Sequence, residues 1–142
     1  TLVDFRKPGT KRDCERGNGT FDFVGFTHYW GKSRRGYWVI KRKTMGKRLN
    51  RAIRKHWQWC RKNRHMPVKE QHWKLRQKLN GHYQYYGIRG NYDNLKVVLK
   101  ETERAWQYWL SRRSQESRIP WEKFHKLLAK YPLPRPRIVH SI

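Results

Sequence analysis

Gly31-Lys32-Ser33 has the ending of a phosphate-binding loop, in which glycine-rich backbone amides cradle a nucleotide's phosphates. That loop needs its first glycine at position 26, and position 26 is Phe26. The nearest glycine, Gly25, falls one residue early, and Tyr29 and Trp30 are too bulky for amides to close on a phosphate. The tripeptide reads instead as part of a hairpin tip. Metal chemistry lacks its residues too. The seven histidines are dispersed, and no His/Cys cluster matches a zinc-site spacing. His56 and His72 fall on apolar helix stripes, where a hydrogen-bonded core histidine is expected. Asp4, Asp13, Asp22 and Asp93 are scattered, and Glu101 and Glu103 point to different helix faces. No carboxylate pair is placed for acid–base or two-metal chemistry. A complete polymerase or nuclease is not expected, nor is a cofactor in this chain.

The cations carry the strongest signal. Lys and Arg number 35 against 10 Asp and Glu, a formal net charge of +25 over 142 residues. Such a chain repels itself, and a polyanion relieves the repulsion: nucleic acid, an anionic membrane or an acidic protein. Aromatics make up 15% of the chain, with eight Trp, which a disordered basic tail would lack. A folded core under a basic surface follows. Cations interleaved with rings suit nucleic acid best, because cations hold phosphates and rings stack on unpaired bases. No apolar run reaches membrane-spanning length, and no signal-peptide core is visible. Two cysteines without CxxC spacing allow one bridge but fit two idle thiols in a reducing cytosol better. The chain opens "TLVDFRKPG", without Met and in what reads as mid-strand, so a fragment of a longer protein is expected.

Position depends on the elements. A strand is expected over 2–6, a polar loop over 7–20, a buried strand over 21–26 and a second over 37–43. The last two make an antiparallel hairpin whose tip carries Lys32, Arg34 and Arg35. The period then turns helical. Over 47–62, Leu49, Ala52, Ile53, His56, Trp57 and Cys60 share one face, and Lys47, Arg48, Arg51, Arg54, Lys55, Arg61 and Lys62 lie off it. Pro67 breaks this helix. A second begins near Val68, with Val68, His72, Leu75, Leu79, His82 or Tyr83, and Tyr86 on its stripe. A third runs from about Tyr92 to Arg113, with Leu95, Val98, Leu99, Thr102, Ala105, Trp106, Trp109 and Leu110 inward. A short fourth, 121–131, turns Trp121, Phe124, Leu128 and Tyr131 to one side. Pro132, Pro134 and Pro136 forbid helix in the tail, which should lie extended over the surface.

The stretch "GHYQYYGIRGN" (81–91) reads first as a joint between the second and third helices. Gly87 is expected to take a left-handed cap, Ile88 to pack back on Tyr83, and Asn91 to cap the next helix through its side chain. Tyr83 and Tyr86 belong to the core. Tyr85, off the stripe, either fills a groove as a partly exposed ring or serves as a stacking or phosphate contact.

The ordered blocks "FDFVGFTHYWGKSRRG", "GHYQYYGIRGN", "WLSRRSQ" and "PLPRPRIVHSI" closely resemble the C-terminal end of bacterial group II intron-encoded reverse transcriptase/maturases, over essentially all 142 residues. The resemblance implies a mainly α fold: a helical thumb, or maturase domain X, over 44–131, preceded by the end of a palm over 1–43 and followed by an extended tail over 132–142. Phe23, Val24, Gly25 and Phe26 would belong to a primer-grip-like hairpin. The implied partners are group II intron RNA, whose splicing the domain promotes, and the template–primer duplex in the intact protein. A bacterial cytoplasmic location and no membrane partner are implied. The family's acidic YADD-like motif and its Mg²⁺ belong to a palm segment that these residues do not include. Lys32, Arg34, Arg35, Arg51, Arg54, Lys55, Arg61, Arg64, Arg89, Arg112 and Arg113 are the expected RNA contacts, with Tyr85 beside them. The alternative is a structural RNA-binding protein of the ribosomal kind, whose charge only neutralises RNA. An endonuclease or transposase fragment would need metal ligands that the sequence does not supply.

Overall fold

A computed structural model describes residues 21–23 and 25–140. The expected strand over 2–6, the loop over 7–20, Cys14, Val24 and the last two residues lie outside the described residues. Three short strands precede four helices: β1 (Phe21–Phe23), β2 (Phe26–Lys32), β3 (Trp38–Thr44), α1 (Gly46–Lys62), α2 (Val68–Tyr86), α3 (Tyr92–Leu110) and α4 (Trp121–Lys130). The fold is thus mainly α with a small antiparallel sheet, ordered β1-β2-β3.

The sheet corrects the expected strands. Residues 21–26 are not one strand: the chain reverses at Gly25, which has φ +83°, and Phe23 pairs back on Phe26. The hairpin proper is β2–β3, with Trp30 opposite Ile40 and Tyr29 opposite Lys41. Aromatic and β-branched residues suit a pleated surface and extend the strand through a segment that Gly31 and the polar residues made look like a turn. The real turn is Ser33–Tyr37. The Gly36 amide donates to Ser33 O at 2.9 Å, and Gly36 takes φ +85°.

The helices follow their apolar periods closely. Pro67 stands immediately before α2, where its missing amide proton costs nothing, and Pro120 does the same before α4. α3 ends at Leu110, three residues earlier than expected. The core joins Cys60 of α1, Leu75, Leu79 and Tyr83 of α2, Leu95, Val98, Ala105, Trp106 and Leu110 of α3, Phe124 of α4 and Leu133 of the tail. Several of its buried polar side chains are paired, which avoids a desolvation loss. Trp106 Nε1 donates to Gln71 Oε1 at 2.9 Å, and Gln71 Nε2 donates to Asn63 O at 2.7 Å. Thr102 gives its hydroxyl proton to Val98 O, so its oxygen accepts from His56 Nδ1 at 2.7 Å. Trp121, expected inward, is instead half-exposed and meets Phe124 edge-on.

The joint between α2 and α3 is built differently from its sequence reading. Gly87 has φ −77°, not a left-handed angle. It is needed for close approach: a Cβ there would stand 2.3 Å from Tyr83 O and 2.7 Å from Arg137 O. The left-handed residue is Gly90, at φ +94°. Asn91 precedes α3 but makes no side-chain cap. Fully buried, it accepts from Thr44 N at 2.7 Å, and its amide donates to Thr44 Oγ1 at 2.7 Å and Tyr86 O at 2.8 Å. One side chain thereby ties the end of β3 to the end of α2.

The tail is extended, as its prolines require, and it is bound to the bundle. His72 Nε2 donates to Pro132 O at 2.7 Å, and Tyr83 donates to Pro134 O at 2.9 Å. Val139 N and His140 N both donate to Gly87 O, and Ile88 pairs in parallel with His140.

Candidate nucleic-acid interface

α1 supplies the most uniform surface. Its 17 residues, "GKRLNRAIRKHWQWCRK", contain no acid. His56 and Cys60 are buried, while Arg51, Arg54, Lys55, Arg61 and Lys62 are exposed on the outer side. Residues 51, 54, 55, 58, 61 and 62 follow the three-and-four spacing that aligns side chains along one helix face. Ion pairs join Lys96 to Asp93 and Arg104 to Glu101, both within α3, and no α1 cation pairs with a carboxylate of the described residues. This face therefore keeps its field for an external anion.

At one end of α1 the cations meet rings. Arg61 and Arg64 each lie 5.8 Å from the Trp109 ring, and the Arg112 guanidinium sits 3.4 Å from the Tyr108 centroid. Tyr108 meets Trp57 and Trp109 edge-on at 5.5 and 4.9 Å, and Trp57 Nε1 donates to Glu101 Oε2 at 3.1 Å. Arg113, expected as an RNA contact, is engaged within the bundle. Its Nε donates to Arg64 O at 2.6 Å, and an Nη donates to Met66 O. A guanidinium spent on carbonyls just past a helix end is a cap. Arg64 is partly spent in the same way, on Arg61 O at 2.9 Å.

The other end of α1 adjoins the sheet and the α2–α3 joint. Phe26 stacks on Tyr85 at 6.1 Å and meets Tyr86 edge-on at 5.4 Å. Gly25 passes close to both tyrosines. Of the primer-grip-like residues, Gly25 and Phe26 thus pack on the end of α2, Phe23 pairs in β1, and Val24 lies outside the described residues. Tyr85 matches the reading of a partly exposed ring, packed on Phe26 and half-exposed. Burial raises the Tyr86 phenol pKa, an effect opposed by nearby Arg48 and Arg51. Lys32, Arg34 and Arg35 are exposed at the hairpin tip, with Lys32 over the Trp38 ring at 5.2 Å, and Arg89 is exposed in the joint. The expected contacts therefore fall in four places: the tip, the α1 face, the Trp109–Arg112 end, and the α2–α3 joint with Tyr85 and Arg89.

Two features escaped the sequence reading. Trp73 is 54% exposed on α2, with Lys74 over its ring at 5.1 Å. A tryptophan off the apolar stripe was the signal. The second is an open hollow of about 600 Å³ lined by Gln107, Ser111, Arg112, Ser114, Gln115 and Arg118. A connector of serines and arginines gave no periodic sign of it.

Among the described residues no three His, Cys, Asp or Glu side chains converge to hold a metal ion. No helix among them is long and apolar enough to cross a membrane. Comparison with protein-family models, curated proteins and solved structures finds no match for the chain.

Proposed function

We propose that this chain is an RNA-binding module of the thumb, or maturase domain X, kind, which holds group II intron RNA and promotes its splicing. In an intact protein with a palm, the same module would grip the template–primer duplex for reverse transcription. The observation that carries the RNA reading is the acid-free, outward face of α1, flanked at both ends by cations and rings. Phosphates meet the cations, and half-exposed rings offer stacking surfaces that a purely neutralising protein does not need. The maturase reading rests on the ordered sequence blocks. It is supported by their meeting in space: Phe26 of the first packs on Tyr85 and Tyr86 of the second, and His140 of the last bonds to Gly87. This chain binds and positions RNA, and nucleotidyl transfer belongs to the palm and its Mg²⁺.

Filter binding at several salt concentrations tests the reading. Arg51→Gln/Arg54→Gln/Lys55→Gln keeps long side chains and helix propensity while removing three charges. The slope of log affinity against log salt should fall by about 0.7–0.9 per lost phosphate contact, with melting nearly unchanged. Trp57→Ala should do the reverse, lowering the melt first. A triple variant with its affinity and slope intact would remove α1 from the RNA face. Equal affinity for a group II intron RNA and an unrelated folded RNA would favour the ribosomal kind of role. Purified chain should not extend a primer on an RNA template, and metal-dependent extension above a mock preparation would overturn the assignment of catalysis to the palm.

A further inference from the structure

We propose that the hollow beside the α3–α4 connector, residues 111–120, is a binding site for an unpaired nucleotide, a role that rests on the RNA-binding reading and goes beyond phosphate contact. The connector is pinned from within. Gln107 Nε2 and Ser111 Oγ both donate to Ile119 O, at 2.6 and 3.2 Å, and Ile119 N donates back to Ser111 Oγ at 3.0 Å. Ser114 N donates to Ser117 Oγ at 2.8 Å, and Ser117 Oγ donates to Ser114 O at 2.9 Å. Arg113 fastens the start of the connector to the carbonyls of Arg64 and Met66. The hydroxyls of Ser111 and Ser117 are thus spent on the connector's own backbone, and two guanidinium groups, Arg112 and Arg118, line the hollow.

Their chemistry selects the ligand. Arg112 is oriented by its bond to Tyr108 O at 3.0 Å and by the Tyr108 ring beneath it. A guanidinium plane backed by a ring is a surface on which a base can stack. Arg118, exposed and without a carboxylate partner among the described residues, can hold a phosphate with two donors. Gln115 adds an amide that donates and accepts, as a base edge requires. The connector's one acid, Glu116, does not line the hollow. The volume of about 600 Å³ lies within the range small ligands occupy, roughly 300–1,000 Å³. A base in a duplex is stacked and paired, so only an unpaired nucleotide can present its face here.

Arg118→Gln tests the site, because Arg118 serves neither the core nor the α1 face. Affinities are measured for a labelled oligouridylate, the same strand with one abasic residue, and a blunt RNA duplex, beside a thermal melt. The expected result is a loss of about tenfold for the oligouridylate, the scale of one charge-assisted contact, with duplex affinity within about twofold and the melt unchanged. The abasic strand should bind the native chain more weakly than the intact strand. Equal loss for duplex and single strand would make the hollow part of a general cationic surface and overturn the inference, leaving RNA binding in place. Displacement of the oligouridylate by polyglutamate as readily as by RNA would overturn it in favour of an acidic protein ligand. If the native chain bound neither RNA probe, the proposed function itself would fall.

Discussion

The helical bundle and the β2–β3 hairpin share one composition, aromatic and cationic, and use it in opposite ways. In the bundle, the central rings go inward and are satisfied there, though Trp73 and Trp121 stay half-exposed: Trp106 is buried with its indole nitrogen bonded, and Phe124 packs edge-on against it at 5.6 Å. In the hairpin, Tyr37, Val39 and Ile40 are exposed, at 69%, 36% and 51%. Val39 and Ile40 are neighbours on one strand, so they point to opposite faces, and both faces stay open. The hairpin is held mainly at its base, where Asn91 grips Thr44 and Phe26 meets the α2 tyrosines. A bundle closes its own core, whereas a short two-sided ribbon needs something to lie against.

Breaking the bundle should therefore cost the most. Trp106→Ala removes the largest fully buried side chain and strands the Gln71 amide oxygen, a loss of about 3–5 kcal/mol. Ile40→Ser on the hairpin should stay within about 0.5 kcal/mol. Urea denaturation of the two variants checks the contrast, and equal losses would mean the hairpin is as tightly integrated as the core.

Gly87 comes next, because backbone atoms cannot step aside as a side-chain tip can. Even Gly87→Ala would push a methyl against Tyr83 O and Arg137 O and should cost about 2–3 kcal/mol, within the range for overpacking. Alanine is therefore not the mild replacement that a left-handed cap would allow. Gly90→Ala should cost about 1–2 kcal/mol for its positive φ. Trypsin should cut after Arg137 sooner in the Gly87 variant than in the Gly90 variant, since only the former displaces the tail.

Asn91→Leu tests the tie between the two regions. It leaves the Thr44 amide and the Tyr86 carbonyl without their side-chain partner, at about 1–3 kcal/mol. Hydrogen exchange should quicken at Thr44 and along β3 while the centre of α3 stays protected. Uniform loss of protection would show that hairpin and bundle unfold as one unit.

Acid supplies a graded test of the bundle alone. Burial lowers the pKa of His56 to about 4, helped by His82 and Lys78, and burial lowers His82 to about 4. His82 Nε2 is buried without a hydrogen-bond partner among the described residues, so a proton there would add an uncompensated charge. The neutral rings are favoured by the fold. Their contribution is complete above pH 6.5, the ordinary histidine value, and is lost as pH falls from there toward 4. Each ring can contribute a slope of up to about 1.4 kcal/mol per pH unit. His82→Leu should flatten the fall in melting temperature over this window, and an unchanged profile would assign the acid sensitivity elsewhere.

Much of this molecule was legible locally. The extents of α1 and α4 could be read because apolar spacing repeats every three to four residues, and the starts of α2 and α4 because Pro67 and Pro120 stand where no amide donor is needed. The extended tail followed from Pro132, Pro134 and Pro136, and the outward cations of α1 from their places between apolar positions. The hairpin register was harder, because Gly31 and its polar neighbours look like a turn until Trp30 is seen opposite Ile40.

The sequence by itself determined the charge, the helical periods and the breaks between them, since these depend on residues within one or two turns of each other. Only the tertiary structure decided that Gly87 is needed for the passing tail rather than for its own torsion angle, that Asn91 ties β3 to α2, and that Arg113 caps the end of α1. Each of those roles depends on a partner about fifty residues away. A side chain's hydrogen-bonding capacity is written in its type, but whether a carbonyl, another side chain or an external phosphate takes it up is settled only when the chain brings the competitors within three ångströms.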